Sequence, residues 1–188
     1  ILNVDFNNLG FTPDFAWFSP PCQTFSIMAS GKHRKKENMK PKTKEGRMGD
    51  KILKKTVEAI NILMSKNPRL KWYMENPVGL MQYSPILDGL PYNVKVTVSY
   101  CMYGFKYKKA THIWTNDIEW AQISKNCKAE TPCDTMVDGK HIEAIRQRPG
   151  QEAGPQTLEE RYQIPPALVE EILHSFLGYY DSRVSVAS

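Results

Sequence analysis

Asp14-Phe15-Ala16-Trp17-Phe18-Ser19-Pro20-Pro21-Cys22-Gln23-Thr24-Phe25-Ser26 places a short aromatic run between Pro13 and Pro20 and follows it at once with a cysteine. Residues 14–18 read as a buried strand. The two prolines after it fix φ and remove two backbone donors, so the turn carrying Cys22 is stiff. A thiol held at such a strand end sits where a nucleophile would be needed. A similar arrangement recurs at Lys71-Trp72-Tyr73-Met74-Glu75-Asn76-Pro77, an apolar strand ending in a carboxylate and an amide before a proline. If both strands belong to one parallel sheet, their C-terminal ends open on one edge, where ligands bind in open α/β folds. A thiolate and a carboxylic acid facing one cleft suit covalent addition to an electron-poor ring.

The segment between the two strands predicts a crossover helix opening at Asp50. Leu53, Val57, Ile60 and Met64 fall at helical spacing, with Lys51, Lys54, Lys55 and Glu58 on the other side. Val94 to Tyr100 alternates apolar and polar residues as a half-buried strand does, and Thr111 to Thr115 would pair with it as a hairpin. A last helix is expected from Pro165-Pro166, since proline suits a first turn.

These pieces together resemble the cytosine-C5 DNA methyltransferases, in their small phage- or virus-like form. The signature pieces are a Pro-Pro-Cys-Gln loop, here Pro20 to Gln23, and a later Glu-Asn dipeptide, here Glu75 and Asn76. Phe25-Ser26 after the cysteine, the intervening helix, Gly104 followed by a basic pair, and the Ile113-Trp114 strand extend the likeness. The resemblance implies an α/β chain with a partial Rossmann-like, S-adenosylmethionine-dependent methyltransferase fold, a mixed sheet and a small irregular recognition insert. It divides the chain into a catalytic core at 1–115, a target-recognition-like insert at 116–158 and a C-terminal helix at 159–188.

By the same resemblance Cys22 would add to C6 of cytosine and make C5 able to accept a methyl group. Glu75 would hold N3 as a proton donor, which a partly buried strand end beside Tyr73-Met74 favours. Lys109 stands where the family has the first arginine of its Gln-x-Arg-x-Arg segment, and Thr111 stands in place of the second. A lysine offers a point charge but not the planar fork of arginine. Gln23, Ser26, Asn76, Thr111, Lys32 and Arg34 would contact the substrate, Asn76 also fixing its turn. Pro20 and Pro21 would face the methyl donor. Each residue alone has a plainer reading: free cysteine packs as a small hydrophobe, Glu75 is a surface or capping carboxylate, and Lys109 is a solvated turn residue. Their weight comes from the constellation.

Charge points the same way. The chain of 188 residues carries a net +5, while residues 32–47 alone hold eight Lys or Arg against two Glu, so the remainder is close to neutral. Such a run reads by itself as a solvated loop. Next to the nucleophile, and by the resemblance, it would close over DNA, contact phosphates and help hold a base flipped from the duplex.

There is no apolar run long enough to span a membrane and no visible signal peptide. Cys22, Cys101, Cys127 and Cys133 are too few and too scattered for a disulfide framework. The expected setting is an intracellular, reducing compartment, cytoplasm or nucleoid or nucleus. Within residues 116–158, Cys127, Cys133 and His141 form a Cys-x5-Cys-x7-His pattern that could supply three zinc ligands, with Cys101 or His112 as a fourth. The spacing matches no standard finger, so unpaired loop cysteines are the default and no metal is expected. Arg146, Gln147 and Arg148 are candidates for phosphate or base contacts.

The sequence departs from the family in two further places. Arg161-Tyr162 stands where a Gly-Asn precedes the last motif, Ile164-Pro165-Pro166. No Phe-x-Gly-x-Gly loop or following acidic strand end is found, and Ile1 to Asp5 reads as the remnant of the next strand and loop. The expectation is a fragment, or a donor site completed by another chain, without turnover in isolation. Two other readings stay open. One is an RNA cytosine-C5 methyltransferase and the other a non-catalytic nucleic-acid-binding relative. Ser19-Pro20-Pro21 also resembles the Ser-Pro-Pro-Tyr loop of amino-methyltransferases, against which Cys22 and the Glu75-Asn76 pair argue.

Overall fold

The computed structural model describes residues 1–27, 30–35, 37–145, 149–155 and 157–184, and within its helices no side chain for residues 30 and 179–184. Arg146, Gln147, Arg148 and Lys36 lie outside the described residues. In chain order the elements are β1 (Phe15–Phe18), the single turn α1 (Ser30–His33), α2 (Lys44–Lys66), β2 (Lys71–Pro77), β3 (Val94–Ser99) and β4 (Ala110–Thr115). They continue as α3 (Ile118–Ile123), β5 (Met136–Val137), β6 (Lys140–His141), β7 (Glu143–Ala144), β8 (Glu152–Ala153), α4 (Leu158–Tyr162) and α5 (Pro166–Val184). The chain is mixed α/β, with a four-stranded sheet in the order β1-β2-β4-β3 and two small two-stranded sheets. No helix among the described residues is long and apolar enough to cross a membrane.

Two compact units result, residues 1–95 with 112–118, and residues 96–111 with 119–188. Residues 96–111 group with the C-terminal part. Residues 1–14 of the first unit hold no strand; a turn closed by Val4 N–H on the Ile1 carbonyl occupies the place where a strand remnant was expected.

In the first unit β1 and β2 run parallel, with Phe15 opposite Lys71 and Phe18 opposite Met74. Cross-strand aromatic contacts support that register: Phe15 and Trp17 lie 5.4 and 6.1 Å from the Tyr73 ring. Helix α2 covers the sheet with Leu53, Val57, Ile60 and Leu63, packed in one core with Leu70, Trp72, Met74 and Trp114. The helix opens at Lys44, six residues before the expected start. The Thr43 hydroxyl accepts the Gly46 N–H at 3.1 Å and caps it.

The start of β2 rests on a buried polar network. Lys71 pairs with Asp117 at 3.3 Å, and the Tyr73 hydroxyl donates to the other Asp117 oxygen at 2.5 Å. Burial, and then the Asp117 carboxylate, push the Tyr73 phenol far above its ordinary value, so it stays a donor. Beside it the Thr115 hydroxyl donates to the Trp72 carbonyl at 2.7 Å, and Asn116 bridges Leu70 and Trp72.

In the second unit, the described residues of 119–158 are less irregular than expected, since α3 and the short strands organise them. Helix α5 buries Leu168 and Ile172, one turn apart, and its Glu171 accepts the Tyr103 hydroxyl at 2.9 Å and the Lys125 ammonium at 2.6 Å. Helix α4 opens with a capping box between Thr157 and Glu160 and includes Arg161 and Tyr162.

Asp117 is 1% exposed, and removing it leaves a buried ammonium without its counter-charge. Asp117→Ala is expected to lower the unfolding free energy by about 3–5 kcal/mol, read from urea denaturation. A loss under about 1 kcal/mol would contradict the buried pair.

Candidate functional site

The first unit brings the two strand ends together. Because β1 and β2 are adjacent and parallel, the Cys22 turn and the Glu75-Asn76 pair leave the sheet at the same edge. Asn76, 1% exposed, donates its Nδ2 hydrogen to the Pro20 carbonyl at 2.9 Å and ties the two ends directly. That bond gives Asn76 a positioning task within the protein rather than a free amide for a ligand. Glu75 is buried at 6% exposed.

Cys22 is half-buried and begins a single 3-10 turn, Gln23–Phe25, with its carbonyl accepting the Phe25 N–H at 2.9 Å. Of its neighbours, Pro20 is buried while Pro21 and Gln23 are exposed and Ser26 is half-buried. Two close approaches fix this loop from outside. A Cβ on Gly49 of α2 would lie 2.5 Å from the Thr24 hydroxyl, and one on Gly79 after β2 would lie 2.7 Å from the Phe25 carbonyl. At Gly79 only glycine lets the two backbones come so near, and at Gly49 the missing side chain leaves room for the Thr24 hydroxyl.

Arg34 is the largest departure from the sequence reading. It was expected on the nucleic acid, yet it is 1% exposed. Its Nε donates to the Thr24 carbonyl at 2.9 Å, its Nη1 to the Met39 carbonyl at 3.2 Å and Asp50 at 2.6 Å, and its Nη2 to the Thr24 hydroxyl at 3.2 Å and the Gly46 carbonyl at 3.4 Å. These acceptors match the five donors of a guanidinium. The plane also stacks on Phe25, 3.7 Å from the ring centroid. Arg34 thus pins the loop after Cys22 to the start of α2, and no donor is left for phosphate.

The rest of the basic segment folds back on itself, with Lys42 N–H on the His33 carbonyl at 2.8 Å and Lys35 N–H on the Lys40 carbonyl at 2.9 Å. Lys32, Lys35, Lys40, Lys42, Lys44 and Arg47 remain exposed, together with Glu37 and Glu45. Beside them a groove of about 600 Å³ is lined by Pro21, Gln23, His33, Lys44, Met48 and Ile52, with Cys22 outside its lining.

Lys109 and Thr111 belong to the second unit. Lys109 Nζ donates to the Arg161 carbonyl at 2.7 Å and lies 4.6 Å from the Tyr100 ring centroid. Thr111 is fully buried, so it is not presented to a ligand in this conformation. Of the proposed zinc ligands, Cys127, Cys133 and His141 come together in that unit, and Cys101 rather than His112 joins them. His112 sits in the first unit against Trp114, ring centroids 5.6 Å apart.

No protein-family model matches the chain, and no curated protein matches it.

The two roles offered for residues 32–47 separate under mutation. Arg34→Lys, which keeps the charge but loses the fork, is expected to cost about 3 kcal/mol or more in urea unfolding. Lys32→Ala should stay within about 0.5 kcal/mol. Equal, small losses for both would mean that Arg34 is not a pin.

Proposed function

We propose that the first unit carries the nucleophilic half of DNA cytosine-C5 methyltransferase chemistry. The observation that supports this best is the parallel pairing of β1 and β2 with the Asn76-to-Pro20 bond across their ends, which puts a half-buried thiol and a buried carboxyl group at one sheet edge. In the proposed step the Cys22 thiolate forms a bond to C6 of cytosine. The C5–C6 π electrons move through the ring toward N3, which takes the proton of the Glu75 carboxylic acid. Carbon 5 is thereby made electron-rich. Glu75 ends as carboxylate, and the reverse proton transfer accompanies loss of the thiolate. The exposed lysines of residues 32–47 supply the phosphate contacts, and a cytosine must leave the duplex stack to meet Cys22.

The described residues do not fit S-adenosylmethionine. The glycines that no side chain could replace without a severe clash, Gly46, Gly49, Gly79 and Gly154, close against the chain's own atoms and not around an empty cradle. Residues 1–14 form turns and bends, with no strand among them. Methyl transfer is proposed only with a donor site beyond these residues.

A second reading, a nucleic-acid-binding relative without turnover, draws support from Lys109 and Thr111, since one is held by Arg161 and the other is buried. Trapping separates the two, because thiolate addition to 5-azacytosine needs no methyl donor. Duplex DNA bearing 5-azacytosine is expected to give a band shifted on a denaturing gel and absent with Cys22→Ser. Binding without a shift would favour the second reading, and a shift only on 5-azacytosine RNA would make RNA the substrate.

A further inference from the structure

The second unit holds a feature that the strand-end chemistry does not use. The ligand atoms of Cys101, Cys127, Cys133 and His141 all lie within 4.8 Å of one another, and the Cys127 sulfur is 3.5 Å from His141 Nε2. The three cysteines are buried and His141 is half-buried. Tetrahedral zinc with Zn–S near 2.3 Å and Zn–N near 2.0 Å sets its ligand atoms about 3.5–3.8 Å apart. The Cys127–His141 edge already has that length, and the widest separation needs to close by about 1 Å.

Four separate backbone devices bring these residues together. Cys101 lies in the 3-10 turn Tyr100–Tyr103 directly after β3. Ser99, just before it, donates its N–H to the Lys125 carbonyl at 3.1 Å and its hydroxyl to Asn126 at 2.7 Å, which draws Cys127 alongside. Residues 128–131 close a turn through reciprocal 3.2 Å bonds between Lys128 and Thr131, and the Cys133 carbonyl then accepts the Met136 N–H at 3.1 Å. The β5–β6 hairpin turns at Asp138-Gly139, both with positive φ, and returns His141 opposite Met136.

The bland reading of buried thiols as small hydrophobes leaves His141 among them unexplained. It also leaves this region with little to hold it. Among the described residues the three cysteines form their own core cluster with partly buried Met102 and Met136, around strands of two residues each. So small a core ordinarily needs a staple.

We propose that Cys101, Cys127, Cys133 and His141 bind one zinc ion as a closed structural site. Four protein ligands leave no open position for catalysis, and a three-thiolate, one-imidazole tetrahedron suits zinc over harder cations. Binding releases the three thiol protons to solvent. The filled site carries one net negative charge, and the Lys108 ammonium, which donates to the Cys127 carbonyl at 2.8 Å, lies beside it.

The test is metal analysis of the whole chain purified without chelator, with cobalt titration of the stripped protein. About one zinc per chain is expected, together with intense visible absorption and thiolate charge-transfer bands from tetrahedral cobalt. Cys22→Ser and His141→Cys should keep the metal, and Cys133→Ser should lose at least about nine-tenths of it. Should Cys133→Ser fail to fold, the cobalt spectrum of the unaltered chain still decides. Metal-free protein with four reactive thiols and no cobalt band would overturn the proposal. Zinc undiminished in folded Cys133→Ser, or iron in place of zinc, would overturn it equally.

Discussion

The Arg34 guanidinium is the interaction on which the proposed active edge depends. A buried arginine is costly unless every donor is met and a counter-charge lies near, and here Thr24, Met39, Gly46 and Asp50 meet those conditions from three segments of chain. The consequence falls on the loop between them. With Thr24 gripped through both its carbonyl and its hydroxyl, and Phe25 stacked under the guanidinium, the turn that starts at Cys22 has little freedom. A residue in the most basic stretch of the chain therefore acts inside the protein, while its neighbours Lys32, Lys35 and Lys40 stay in solvent.

The parallel pair β1–β2 converts that local rigidity into a relation between two chemical groups. At one end of β2, Lys71, Tyr73 and Asp117 are satisfied among themselves and anchor the strand. At the other end Asn76 reaches across to Pro20, so the carboxyl-bearing turn and the thiol-bearing turn share one hydrogen bond. Polar groups paired at both ends specify register as well as position. Glycines at 49 and 79 then allow α2 and the segment after β2 to close on the Cys22 loop without displacing it.

Much of this is legible in the sequence itself. Aromatic runs punctuated by proline marked both strands, and the spacing of Leu53, Val57 and Ile60 marked the buried face of α2. The helix start was missed because Gly46 and Gly49 look like loop residues, although Thr43 was there to cap it; the glycines answer to close neighbours, not to helix propensity. Arg34 was hidden by its company, since a charge run carries no sign that one member faces inward. The Thr157–Glu160 capping box has its signature in the sequence, a Thr-x-x-Glu spacing at a helix start. Cys101 was only one of two candidates for the fourth ligand, because sequence separation says nothing about which distant turn a β-strand will deliver to a cluster.

Four cysteines divide between two tasks. Cys22 is a half-buried residue on a pinned turn, and Cys101, Cys127 and Cys133 form a buried group around His141. Reactivity follows access and thiolate character, so the most direct test is the alkylation rate of each cysteine in the native chain, resolved by peptide mass spectrometry. The account predicts that Cys22 labels fastest and is shielded by DNA carrying cytosine, while the other three stay protected until a chelator or denaturant is added. Uniform labelling of all four, or a Cys22 slower than the cluster, would contradict it.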